Sequence, residues 1–117
     1  MHLKRKRIPD QGDVVLLEFP GARLIKRRPA VVLSSAQYHA ERPDVIVGLI
    51  TSQLVYAKAS TDHVLEDWRH VGLDKPSVYR TFLATVPRSA INRNIGKLSG
   101  RDWQSVRKCL QISLGFR

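Results

Sequence analysis

The sequence predicts an α+β domain in which a small, strongly curved antiparallel sheet is followed by a C-terminal helix. Three observations predict it. Apolar runs of strand length recur with turn residues between them: DVVLLEF, AVVLS, DVIVGLITSQ and VYRTFLATVP. Helical spacing sustained over several turns occurs only after Ser99. The 117 residues are enough for one domain with one modest core.

Each element has its own local reason. Residues 2–7, HLKRKR, form a basic arm with nothing to bury, so the chain divides into an arm over 1–11 and a single domain over 12–117. Gly12 is a turn signal, the first strand runs from Asp13 to Phe19, and Pro20-Gly21 closes it. Pro29 opens the second strand, where its missing donor does least harm, and AVVLS continues it. Ser34-Ser35 then caps a short helix, AQYHAE, which ends before Pro43. The β-branched residues from Val45 to Ile50 mark a strand buried on both faces, hence the centre of the sheet. DHVLEDW over 62–68 reads as an edge strand and RHVGLDKPS over 69–77 as a loop. Strand character returns at 78–87, and the chain then leads into NRNIGKLSG, which has no assigned element. Ser99 with Asp102 three residues on makes a capping-box-like start to a helix. Trp103, Val106, Leu110 and Leu114 give that helix its apolar stripe, and Gly115 ends it.

Twenty Lys and Arg against ten Asp and Glu give a formal charge of +10, which favours a polyanionic partner: nucleic acid, an acidic protein segment or a membrane surface. No apolar run approaches the roughly 18 to 20 residues of a membrane span, and the basic N-terminus lacks a signal peptide's apolar stretch. A soluble, cytoplasmic protein is expected. Cys109 has no second cysteine to pair with and falls at an apolar helix position, so it reads as packing.

No Gly-rich phosphate loop opens a helix, and no His, Cys or carboxylate cluster has the spacing of a zinc or calcium site. The four histidines, His2, His39, His63 and His70, are scattered and are expected in loops or in solvent. Glu66 and Asp67 are adjacent, so on a strand they point to opposite sides and read as a solvated edge. What remains is basic and hydroxylic. Arg27 and Arg28 stand at the start of the second strand, and Thr51-Ser52-Gln53 stand where the third turns from apolar to polar. A guanidinium and a hydroxyl meeting there would hold a phosphodiester and stabilise charge growing on it. Ordinary termination of a sheet is the other reading of the same residues.

Four blocks carry a resemblance: GDVVLLEFP at 12–20, KRRPAVVLSS at 26–35, DVIVGLITSQ at 44–53 and ATVPRSAINRNIGKLS at 84–99. In order and spacing the chain resembles the MazF/PemK family of toxins from bacterial toxin–antitoxin systems over roughly residues 12 to 103. Within it, the segment DWRHVGLDKPSV at 67–78 is similar to members with a short first loop. The resemblance implies an SH3-like barrel with a terminal helix, usually a homodimer, that cleaves single-stranded RNA without a metal or other cofactor. The family's arginine before the proline falls on Arg28 and its hydroxyl residue near the end of the third strand on Thr51. Arg28 would contact the scissile phosphate and Thr51 would orient it. The attacking group would be the RNA's own 2′-hydroxyl. An acidic cognate antitoxin is the implied protein partner.

The first loop departs from the family pattern. Many members carry a Glu-Gln pair and a glycine there, whereas this chain has only PGARLIKR, so no acid–base role transfers to it. Arg23, Lys26 and Arg27 are candidate RNA contacts from that loop, with Ser52 and Gln53 beside the site. Arg88, Arg93 and Lys97 either face RNA or are solvated. A non-catalytic nucleic-acid-binding module and a CcdB-like gyrase poison are the alternatives on the same fold.

Overall fold

The computed structural model describes residues 8–19 and 27–116; the basic arm at 2–7 and the loop residues Arg23 and Lys26 lie outside them. Six strands form one sheet: β1 (Asp13–Glu18), β2 (Arg27–Val32), β3 (Asp44–Thr51), β4 (Asp62–Val64), β5 (Val78–Pro87) and β6 (Ile91–Lys97). Three α-helices accompany them, α1 (Ala36–Glu41), α2 (Trp68–Val71) and α3 (Gly100–Leu114), with short 3-10 turns at Leu54–Tyr56 and Arg88–Ala90. The spatial order is β4-β5-β3-β2-β1-β6, with every neighbouring pair antiparallel. The apolar run at Val45–Ile50 is thus an interior strand, as its composition requires.

Strand alternation divides the core in two. Val14, Val31, Ile50 and Tyr79 face one side, where α3 contributes Val106 and Cys109 and the chain between β4 and β5 contributes Leu65 and Val71. Val15, Leu17, Ala30, Val32, Val45, Val47, Val86 and Ile91 face the other. That second cluster draws on five strands and no helix, yet Val15, Leu17, Val32 and Val47 are fully buried. Among the described residues it is the sheet, curled onto itself, that shields them, in keeping with the curvature the resemblance implies. Irregular pairing of β1 with β6 and of β3 with β5 supplies local bends. Gly48 makes one tight approach possible, since a Cβ there would lie 2.6 Å from Cε1 of Tyr79.

The structure corrects several expectations. The strand expected over 62–68 stops at Val64, because Leu65 turns into the core and Asp67 leads into α2. The segment expected to be all loop therefore holds most of a helical turn. The unassigned stretch after Ala90 is β6, paired with β1. In α3, Ser99 Oγ accepts from the Asp102 backbone N–H at 3.3 Å, but the Asp102 carboxylate does not complete the capping box. It accepts instead from His63 Nε2 and from the backbone N–H groups of Glu66 and Asp67. The buried stripe is Asp102, Val106 and Cys109, while Leu114 is exposed. Cys109 is packing, as expected, and burial pushes its thiol up, away from a reactive thiolate.

Two histidines also depart from expectation. His39 is buried in α1, where its Nε2 lies 2.6 Å from Ser34 Oγ; that hydroxyl oxygen also accepts from the Ile46 N–H and so ties α1 to β3. His63 sits on β4 against Asp102. Glu66 and Asp67 are not on a strand at all: both reach Arg101, at 3.0 and 2.7 Å, and the Arg101 guanidinium holds the Asp67 carboxyl well below the usual carboxylate range.

Candidate active site

The site grows out of strand register. β2 pairs with β3 up to Ala30↔Leu49, and just past the end of that pairing Arg28 of β2 and Thr51 of β3 line one cleft. β1 lies on the other side of β2, with Leu17 opposite Arg28 and Leu16 opposite Pro29. β6 follows, with Arg93 opposite Leu16. Pro29, Leu16 and Arg93 therefore form a row across three adjacent strands. At this end of the sheet opens a cleft of about 380 Å³.

Its lining brings together most of the residues singled out in the sequence: Arg27, Arg28, Thr51, Ser52 and Gln53. Arg88 and Lys97, left open above, are not in the cleft; Arg88 donates to the carbonyls of His39 and Arg42, and Lys97 lies 3.9 Å from Asp13. Arg93 lines the cleft. Leu16, Leu73, Asp74 and Lys75 do so as well and were not anticipated. The available signal for the last three was the GLDKPS stretch, whose glycine and proline mark a sharply turned loop.

Gly96 seats that loop. A Cβ on Gly96 of β6 would strike the Val71 carbonyl oxygen, so the end of α2 lies directly on the strand. Gly72 caps α2 in the left-handed conformation, φ 106°, and turns the chain toward the cleft. The stretch Leu73–Lys75 becomes the wall facing β2 and β3.

The site's polar groups are poised for an anion. Thr51 is 8% exposed, and its Oγ1 accepts from the Gln53 N–H at 3.2 Å, which leaves its own O–H to donate. Arg28 is half-buried, and its Nε is removed from solvent with no hydrogen-bond partner among the described residues. A buried donor on a charged group left without an acceptor costs about 1–3 kcal/mol or more. An incoming anionic oxygen removes that penalty. Outside the cleft, Arg42 is matched by Asp44 at 3.0 Å and Arg101 by Asp67 at 2.7 Å. Arg27, Arg28, Lys75 and Arg93 make no ion pair with a described residue, and all four line this one cleft, with Asp74 its single carboxylate. Among the described residues no group of three or more His, Cys, Asp or Glu side chains is placed to hold a metal ion. No helix among them is long and apolar enough to cross a membrane.

An unmatched basic cleft at the strand ends of a curled antiparallel sheet is electrostatically suited to phosphate. Residues 10–114 match the family model described as PemK-like, MazF-like toxin of type II toxin–antitoxin system, and the chain belongs to that family. Members of the family are RNA-cleaving enzymes. Among solved structures, the chain is similar to MazF in a MazE–MazF crystal structure from Deinococcus radiodurans, at 26% identity and TM-score 0.72, covering 95% of this chain and 100% of that one. A second MazE–MazF crystal form from that organism gives 25% identity and TM-score 0.75 with the same coverage. An endoribonuclease from a mycobacterial species shares the fold at 14% identity and TM-score 0.76, with 97% of each chain covered. No curated protein matches the sequence.

Proposed function

We propose that the protein is a toxin that cuts single-stranded RNA without a metal, using the RNA's own 2′-hydroxyl as the nucleophile. The 2′-oxygen attacks the adjacent phosphorus, the bond from phosphorus to the 5′-oxygen breaks, and the products are a 2′,3′-cyclic phosphate and a 5′-hydroxyl. Arg28 stabilises the charge that builds on the non-bridging oxygens, and Thr51 donates to one of them and orients the phosphate. Arg27, Ser52 and Gln53 contact the flanking chain; Arg23 and Lys26 of the first loop are assigned the same role.

The observation that carries this reading is the buried Nε of Arg28, without a hydrogen-bond partner among the described residues, in the same cleft as Thr51. The same unmatched charge suits an acidic antitoxin segment that competes with RNA. MazE–MazF complexes among the similar structures support such a partner. A homodimer is the proposed assembly, as in the family resemblance.

Incubating the purified protein with RNA in EDTA tests the proposal. Defined fragments ending in 2′,3′-cyclic phosphate are expected. Binding without fragments would favour the non-catalytic module, and neither binding nor fragments would favour a protein target such as gyrase.

A further inference from the structure

The row Pro29–Leu16–Arg93 runs along a cleft whose lining also includes Arg28 and Thr51. At one end are Arg28 and Thr51. At the other is Arg93, exposed on β6, opposite Leu16 in the register and without an ion pair to any described residue. Between them lie the half-buried Leu16 and Pro29, which offer apolar surface and no side-chain hydrogen-bonding group. Two strand spacings separate β6 from β2, roughly 10 Å between backbones, before the long arginine side chains shorten the gap.

That spacing suits one nucleotide. A base has an apolar face that packs on Leu16 and Pro29, while the phosphates on either side of its sugar reach opposite ends of the cleft. We infer that Arg93 is a positioning residue that binds the phosphate next to the scissile one, with the intervening base laid over Leu16 and Pro29. The inference rests on the RNA-cleaving function proposed above and adds to it a second phosphate subsite and the path of the chain, across the strands from β3 toward β6. It also explains why Arg93 is unmatched while Lys97, four residues on along β6, lies near Asp13.

The test uses the full protein and an oligonucleotide spanning a cut site mapped on a long RNA, made uncleavable by a 2′-O-methyl group at the scissile nucleotide. Arg93→Ala should weaken binding about tenfold, the loss of one charge-assisted phosphate contact. It should also make the slope of log affinity against log salt shallower by about 0.7, the value for one phosphate on a single strand. Arg93→Lys should recover the slope. Arg107→Ala, an exposed basic residue of α3 outside the cleft, should leave it unchanged. A neutral methylphosphonate at one neighbour of the scissile phosphate should weaken wild-type binding as much as Arg93→Ala does, and should add nothing to that variant. An unchanged salt slope in Arg93→Ala, an equal change in Arg107→Ala, or full additivity at both neighbouring phosphates overturns the assignment. If wild-type protein cuts RNA and Arg93→Ala binds it equally well, only this subsite falls; if wild-type protein cuts no RNA, the proposed function falls and takes the subsite with it.

Discussion

His63 of β4 and Asp102 of α3 are joined by a 2.8 Å hydrogen bond between imidazole Nε2 and a carboxylate with no solvent exposure. The same carboxylate accepts from the backbone N–H groups of Glu66 and Asp67 at 2.9 Å each. One side chain thus ties the terminal helix to the edge strand and to the entry of α2. Asp102→Ala leaves two part-buried backbone N–H groups and an imidazole without their acceptor, and should lower stability by about 3 kcal/mol. Asp102→Asn, which keeps one accepting oxygen, should fall between. Urea unfolding measures both, and a loss below about 1 kcal/mol would mean that water satisfies these donors.

His39 predicts a pH dependence. Its burial, and then the nearby Arg88 charge, hold the imidazole below the usual 6.5, while Asp10 and the Pro9 backbone pull the other way. Above that value the folded and unfolded chains are both neutral at this residue. Below it the unfolded chain takes up a proton that the folded one resists, so stability falls as pH falls. Unfolding measured at about pH 7.5 and about pH 5.5 should show the loss, and His39→Gln should narrow the difference even though it is less stable throughout. A difference as wide in the variant as in the wild type would assign the effect to other groups.

Gly96 links packing to the cleft. An added methyl would meet the Val71 carbonyl oxygen, a backbone atom that can yield only if α2 moves. Gly96→Ala should cost about 1–3 kcal/mol of stability. It should also lower kcat/KM for RNA, because Leu73–Lys75 follow α2. Gly100→Ala, where no atom lies within 4 Å of the new methyl, is the control and should leave both unchanged.

The proposed chemistry makes the sharpest forecast. Arg28→Ala should slow single-turnover cleavage by about 10²- to 10³-fold while the protein stays folded, the usual cost of losing one preorganised contact to developing charge. Thr51→Ala should slow it less. A single 2′-deoxy nucleotide before the scissile bond should abolish cutting and leave binding nearly intact, since it removes the nucleophile alone. Efficient cutting of that substrate, or near-normal rates for folded Arg28→Ala, would refute the assignment.

These sites were not equally legible in the sequence. Arg28 and Thr51 each stand where an apolar run meets polar residues, and Ser99 and Gly115 bracket a helix by local chemistry alone. β6 was hidden because INRNIGK has Asn92, Arg93 and Asn94 exposed on an outer strand, which leaves only Ile91 and Ile95 as apolar signal. α2 was hidden because four residues are too few to display a helical period. Arg93 and Lys75 could not be assigned to the cleft before the register was known: Arg93 reaches it through pairing with a strand near the other end of the sequence, and Lys75 through the contact of α2 with Gly96. The buried His39 depends on Ser34 and on the backbone at Pro9, neither of which announces itself as a partner for an imidazole.

The closure of β6 on β1 has a consequence for biosynthesis. Asn94 donates to the Asp13 carboxylate across 81 residues of sequence, and every pairing between these two strands spans a comparable interval. Such contacts form late, because the entropy of a long loop must be overcome before they return any energy. A growing chain that has emerged only as far as β5 already contains Arg28 and Thr51, but has no β6 to carry Arg93 and no Gly96 to seat α2. The cleft is therefore absent from every partial product that ends before β6.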